Sequence, residues 1–217
     1  FDLRIPDDVG SELSDRARSA DRLWLRDAVD VRDTSAVASA FDDAVAQIGS
    51  PTLVINSAGI STNDLFATSS TEDFERTVAV NLFGSRNVAA AALPHLRRGS
   101  RLALIASLAG ITGGYTYAAY AASKAGVIGL ARVLRLEWAP DGITVNVVSP
   151  LAFSPAMEQA IAADPAMEER LNRRVPLGRV GDPETDVGVA VAFLVGPGAR
   201  FVTGQTLGID GGHFMSI

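Results

Sequence analysis

The chain has 217 residues, 47% of them hydrophobic and 20% charged, with a formal net charge of -6. That length and apolar content suit one globular domain over residues 1–217, and the acidic balance argues against nucleic acid or an anionic membrane, both of which demand a basic face. With no cysteine and only His95 and His213 as imidazoles, disulfides, thiolate chemistry and cysteine-bound zinc are excluded and no metal site is expected; a reducing, cytoplasmic setting is compatible. No apolar run of bilayer-spanning length is free of charge, so no membrane partner is expected.

In chain order, Phe1-Asp2-Leu3-Arg4 reads as the end of a strand whose beginning is absent, followed by a turn and a helix over Val9 to Ser19. A strand is predicted over Trp24 to Val31 and a helix over Ser35 to Ile48. Then come a strand over Thr52 to Asn56, a helix over Thr71 to Leu96, a strand over Arg101 to Ser107 and a helix over Tyr117 to Trp138. The last third gives a strand over Thr144 to Ser149, helices over Pro155 to Asn172 and Pro183 to Val195, and a strand over Gln205 to Ile209. Short buried runs alternating with helical periods predict an α/β fold: a Rossmann-like, doubly wound parallel sheet with helices on both faces.

The chemistry concentrates at Tyr120-Ala-Ala-Ser-Lys124. Four residues apart on one helix, the phenol and the ammonium project as neighbours. A free phenol is a poor acid or base at neutral pH, and a nearby cation lowers its pKa, so Lys124 is placed to activate Tyr120. The same spacing also occurs at ordinary amphipathic helix edges. Here, however, Lys124 is the sole lysine among 19 cationic residues, the other 18 being arginine, and arginine is no equivalent because its charge is far less tunable. Ser107 stands at a predicted strand end, on the rim where open α/β sheets bind ligands, and its hydroxyl is placed to hold a substrate oxygen.

Four segments in order carry a resemblance: Asn56-Ser57-Ala58-Gly59 after a strand, Val80-Asn81-Leu82-Phe83-Gly84 in a helix, Ile105-Ala106-Ser107-Leu108-Ala109-Gly110, and Tyr120 to Lys124. Together they resemble the successive signatures of the short-chain dehydrogenases/reductases, from Asp2 to Ile209-Asp210-Gly211-Gly212. The resemblance implies an oxidoreductase that transfers a hydride between NAD(H) and a secondary alcohol or ketone, 3-oxoacyl-reductase-like or a small-alcohol dehydrogenase. It implies that Tyr120 exchanges a proton with the substrate oxygen, Ser107 fixes that oxygen, and Lys124 both tunes the tyrosine and binds the nicotinamide ribose. Asn81 would hold a water linking the lysine to solvent.

For the cofactor, the resemblance sets Asp2 against the adenosine ribose hydroxyls, which favours NAD over NADP, although Arg4 offers a partner for a 2'-phosphate. Asp30 would accept from the adenine amino group, Val31 would pack on the adenine, and Asn56, Ala58 and Gly59 would form the adenosine wall. Pro150 opens the loop expected to grip the nicotinamide; Leu151 replaces the usual glycine, and a hydroxyl residue appears one position early as Ser154. No glycine-rich pyrophosphate turn occurs in the sequence, so the first strand, turn and helix, roughly 25 to 35 residues by ordinary element lengths, are expected before Phe1 and the chain is read as N-terminally incomplete.

Met157, Ile161, Met167 and Leu171 lie at helical spacing in a segment read as the substrate lid, and Tyr115 and Tyr117 line the approach to Tyr120. The resemblance also implies a homotetramer, or a homodimer, built from the long middle helices and the C-terminal strand region. Two other readings stand beside it: a non-catalytic binding or regulatory protein on a truncated fold, and an extended epimerase or dehydratase, for whose larger substrate lobe the chain is too short.

Overall fold

The computed structural model describes residues 26–164 and 166–214. Asp2, Arg4 and the helix expected over Val9 to Ser19 lie outside them. Among the described residues four strands, β1 (Leu53–Asn56), β2 (Arg101–Ile105), β3 (Thr144–Pro150) and β4 (Thr206–Ile209), form one sheet in the order β1-β2-β3-β4. Every pairing is parallel, with Ile55 opposite Ala103, Ala103 opposite Asn146 and Val148 opposite Leu207. All the strands therefore end on one rim.

Helices cover both faces. On one face Leu102, Leu104, Val145 and Val147 pack with α1 (Thr34–Ile48), α3 (Gly84–Ala92) and α5 (Ala118–Trp138). Helix α5 supplies Val127, Ile128, Ala131, Leu134 and Trp138 to that core, an i, i+4, i+7 stripe that sequence periodicity anticipates. On the other face Ile105, Val148, Leu207 and Ile209 meet Val191 and Leu194 of α8 (Val189–Val195). This is the doubly wound α/β arrangement predicted from the pattern of apolar runs.

The local starts follow the side chains. Asp33 caps α1 by accepting from the Ser35 and Ala36 amides, and Ser70 caps α2 (Thr71–Val78) by accepting from the Asp73 amide. Between α2 and α3 the helix widens into a π turn over Ala79–Phe83, a feature that a uniform 3.6-residue period does not announce.

Two expected elements differ. The helix expected over Pro155 to Asn172 is two helices, α6 (Pro155–Ala163) and α7 (Ala166–Asn172). The break falls at Asp164, which precedes a proline in the sequence and is thereby steered away from helical backbone; its side chain then accepts from the Ala166 amide at 3.2 Å and its carbonyl from the Met167 amide at 2.9 Å. The strand expected over Trp24 to Val31 shows no strand pairing in its described part, residues 26–31, where no described strand lies alongside to complete a ladder. Val29 is nevertheless buried in the core, as an apolar strand residue would be.

A short helix, α4 (Ala109–Thr112), turns directly onto α5. A Cβ at Gly110 would stand 2.7 Å from the Ala125 backbone nitrogen and 2.7 Å from the Lys124 backbone carbon, whereas one at Gly129 would meet nothing within 4 Å. The same substitution should therefore have opposite signs at the two sites. Gly110→Ala is expected to lower unfolding stability by about 1–3 kcal/mol through overpacking, and Gly129→Ala to raise it by up to about 1 kcal/mol through helix propensity, both read from urea denaturation midpoints.

Candidate active site

The C-terminal ends of β1, β2 and β3 carry Asn56, the turn to Ser107, and Pro150. Helix α5 starts beside them, so its first turns present Tyr120 and Lys124 to that rim. The Ser107 hydroxyl lies near enough to the Tyr120 phenol to favour its ionised form, and Ser107 accepts from the Ala109 amide at 3.2 Å, which fixes its hydroxyl at the head of α4. The Lys124 ammonium lies 5.7 Å from the centroid of the Tyr120 ring and donates to the Ile105 carbonyl at 2.9 Å. Ser107, Tyr120 and Lys124, thirteen and four residues apart in sequence, thus share one small space.

Burial governs both titrating groups. It pushes Tyr120 above the ordinary phenol value; the nearby Ser107 hydroxyl opposes this and the neighbouring Tyr117 adds to it. Lys124, only 4% exposed, is brought down to about 8 by the same loss of water. The expected lowering of Tyr120 by the lysine is therefore not seen: burial is the largest influence on the phenol, and the ammonium is engaged by the Ile105 carbonyl. The two groups are thus displaced in opposite directions, the phenol upward and the amine downward, by the same loss of water.

Asn81 is fully buried in the π turn. Its Oδ1 accepts from the Ile60 amide at 2.8 Å, while Nδ2 donates to the Ile60 carbonyl and to Ser123 Oγ, each at 2.9 Å. Ser123 in turn donates to the Tyr120 carbonyl at 2.7 Å. Asn81 therefore ties the loop after β1 to the first turn of α5, and both its amide protons are spent on protein groups. Ser123 was missed in the sequence, although its place three residues after Tyr120 puts it on the same helix face.

Of the residues expected at the adenosine, Asn56 and Val31 are held against α3. Asn56 donates to Ser85 at 2.9 Å and accepts from the Ala58 amide at 3.3 Å, so it shapes the turn through Ala58 and Gly59. A Cβ at Gly59 would lie 3.2 Å from both Lys124 Nζ and Asn81 Oδ1, so a larger residue would crowd the amine. Val31 packs against Gly84, where a Cβ would stand 2.6 Å from its Cγ2. Asp30 is gripped by Arg32, whose side chain and amide both donate to its carboxylate. Pro150 ends β3 opposite Ile209.

The loop after Pro150 is stapled on both sides: Leu151 donates to Ile209 at 2.8 Å, Gly181 to Leu151 at 3.0 Å and Phe153 to Gly181 at 3.0 Å. Ser154 starts α6, accepting from Met157 at its hydroxyl and from Glu158 at its carbonyl. Met157 and Ile161 on α6, and Met167 and Leu171 on α7, are half-buried. Tyr117 tilts against Tyr120 with ring centroids 5.7 Å apart, and Tyr115 is 83% exposed.

This geometry has matching relatives. The family described as Enoyl-(Acyl carrier protein) reductase matches residues 7–213. The 3-oxoacyl-[acyl-carrier-protein] reductase FabG of Staphylococcus aureus is 34% identical over 202 residues, covering 92% of this chain and 80% of the relative. The chain belongs to the short-chain dehydrogenases/reductases. An uncharacterized short-chain type dehydrogenase/reductase of Sinorhizobium fredii is 38% identical over 167 residues, which is 76% of this chain but 30% of that longer relative. Among solved structures, a short-chain dehydrogenase/reductase from Brucella melitensis superposes with a TM-score of 0.86 at 31% identity, covering 95% of this chain and 84% of that one.

Short-chain dehydrogenases/reductases are oxidoreductases that act on CH–OH groups of small molecules with nicotinamide cofactors. In this member no helix among the described residues is long and apolar enough to cross a membrane, and no group of three or more His, Cys, Asp or Glu among them is arranged to hold a metal ion.

Because Lys124 is the sole lysine, its titration is directly visible. Protein labelled with carbon-13 lysine should give one Cε resonance moving with a pKa of about 8 in place of the ordinary 10.5. The folded value lies below the unfolded one, so the burial cost is fully present below pH 8 and disappears toward pH 10.5; this group makes stability rise with pH through that window. A resonance titrating at the ordinary value would contradict the burial described here.

Proposed function

We propose that the protein is an NAD-dependent reductase or dehydrogenase that interconverts a ketone and a secondary alcohol, with Tyr120 moving the proton. The observation that carries the reading is the convergence of Ser107, Tyr120 and Lys124 at the strand ends. Ser107 holds the substrate oxygen beside the phenol and Tyr120 gives or takes the proton there, which is positioned general acid–base catalysis. Bound nicotinamide supplies or accepts the hydride. Lys124 binds the ribose beside Gly59 and, as a buried cation, stabilises the phenolate when the proton leaves. Asn81 positions the Ile60 loop and the turn carrying Tyr120, and its remaining Oδ1 lone pair is the acceptor for a water linking Lys124 to solvent.

The residues fit such a cofactor: Gly59 leaves room at the amine that a Cβ would fill, and Val31 and Asn56 are both held against α3. The preference for NAD rests on Asp2, with Arg4 as the competing partner; the structurally similar ElxO variant, at 27% identity and a TM-score of 0.79 over 86% of this chain and 76% of that one, was solved with NADPH bound. The substrate reading follows the FabG relatives toward a 3-oxoacyl compound or a small secondary alcohol, with the half-buried Met157, Ile161, Met167 and Leu171 as its apolar side. Exposed Phe83, Val133 and Leu136 around α3 and α5, and Val189, Phe193 and Phe201 around α8, support assembly into a homotetramer or homodimer through those faces. The absence of cysteine accords with a cytoplasmic setting.

One relative favours the non-catalytic alternative by name, the inactive 2-(S)-hydroxypropyl-CoM dehydrogenase 2 of Xanthobacter autotrophicus, 37% identical over 84% of this chain and 82% of its own length. Against it, this chain keeps the Ser107 hydroxyl near the Tyr120 phenol and the Lys124 ammonium 5.7 Å from the centre of its ring. The test is a fluorescence titration with NADH and with NADPH, followed by turnover of a 3-oxoacyl thioester and of simple secondary alcohols. Tyr120→Phe should lose at least about 100-fold in turnover while cofactor affinity stays unchanged, and Lys124→Arg should be severely impaired despite its charge. Turnover retained in Tyr120→Phe would overturn the assignment.

A further inference from the structure

Tyr117, the N-cap residue of α5, is held from three sides. Its amide donates to the Gly114 carbonyl at 3.1 Å and its carbonyl accepts from the Ala121 amide at 2.7 Å. Asp64, on the loop after β1, pairs with it in a parallel bridge and donates its amide to the Thr116 carbonyl at 3.0 Å. Thr116 stands at φ +69°, in the left-handed region that a β-branched residue rarely enters, and its hydroxyl donates to the Asn63 side chain. A residue persists there only where its surroundings over-determine it, and here the Asn63-Asp64 loop does so. Under the ring lies Gly114, where a Cβ would stand 2.8 Å from Tyr117 Cδ2, so the ring rests directly on the backbone.

This construction sets a second phenol beside the first. The ring centroids of Tyr117 and Tyr120 are 5.7 Å apart, with their planes inclined at 53°, and Tyr117 is near enough to push the Tyr120 pKa upward. Tyr117 is half-buried, and among the described residues its hydroxyl makes no hydrogen bond. Phenylalanine would fill the same contacts, so the hydroxyl adds nothing to the packing. A phenol so placed has its apolar body in the wall and its polar tip left for a ligand, and that tip both donates and accepts.

We propose that Tyr117 is a substrate-binding residue that selects hydroxy ketones and diols, substrates with a second oxygen one or two carbons from the reacting one, by hydrogen-bonding that second oxygen. The proposal rests on the reading of Ser107 and Tyr120 above. With the reacting oxygen at those two side chains, the second oxygen reaches the neighbouring ring without displacing the first. A site built to hydrogen-bond a substrate hydroxyl discriminates against the analogue lacking it, because the protein's own polar group is then left unpaired.

The measurement is kcat/KM for reduction of 3-hydroxybutan-2-one and of 4-hydroxybutan-2-one, each divided by that for butan-2-one, using the full chain with the tighter-binding of NADH and NADPH. Comparing these ratios between the unaltered protein and Tyr117→Phe removes differences in intrinsic reactivity. Tyr117→Phe should lower the ratio for at least one hydroxylated ketone by roughly tenfold, the size of one neutral hydrogen bond, with the circular dichroism spectrum unchanged. Tyr117→His, which keeps a ring donor, should recover part of the loss. A phenol that acted only on Tyr120 or on the fold would alter all three substrates alike. Unchanged ratios in Tyr117→Phe, whether activity holds or falls, therefore overturn the proposal and leave the ketone-reduction reading standing. If the unaltered protein reduces none of the three, or Tyr120→Phe reduces them equally well, that reading falls and the proposal falls with it.

Discussion

Lys124 brings a charge into a space almost closed to water, and most of the surrounding construction answers that one cost. An isolated buried ammonium is expensive, so the amine is given the Ile105 carbonyl at the end of β2 and the face of Tyr120. That carbonyl is free to accept only because the strand ladder stops there and the chain turns into Ser107. The end of the strand, the turn and the first two turns of α5 are therefore one arrangement, and the contact of Gly110 with the α5 backbone clamps it shut. The consequence is a phenol and an amine both displaced from their ordinary titration ranges.

The π turn at Ala79–Phe83 extends the arrangement toward β1. One extra residue in the turn is a common device where a helix must present a side chain sideways, and here it presents Asn81 to the loop after β1 and to Ser123. Ser85, donating to the Asn81 carbonyl at 2.6 Å and accepting from Asn56, covers the carbonyl that the wider turn leaves available. Helix α3 then serves two loops at once: Ser85 in its first turn fixes Asn56, and Gly84 and Asn87 on either side of it fix Val31. The rim is rigid because a single helix grips both sides of it.

Much of this was legible in the sequence, for identifiable reasons. The described strands β1 to β4 were found because each is a short apolar run bounded by breakers, and Tyr120 and Lys124 because helical spacing and a solitary lysine mark them. Ser107 was found because it follows a buried strand. What was not legible depends on contacts distant in sequence. Ser123 gains its place only when Asn81, 42 residues earlier, meets it; the grip of Arg32 on Asp30 needs a turn geometry set by Asn87. The interruption at Asp164 was legible in principle, since a proline follows it, but the apolar spacing of Met157, Ile161, Met167 and Leu171 runs smoothly across the break and hid it. The fate of residues 26–31 depended on neighbours that no local pattern can supply.

The solitary lysine has one more consequence, away from any reaction. With its amine interior and every other cation in the sequence a guanidinium, the outside of the folded chain presents no lysine side chain to acylating reagents, to cross-linkers that target primary amines or to enzymes that attach acetyl groups or small proteins to lysine. A reagent that does consume the Lys124 amine reports that the closed space around it has opened.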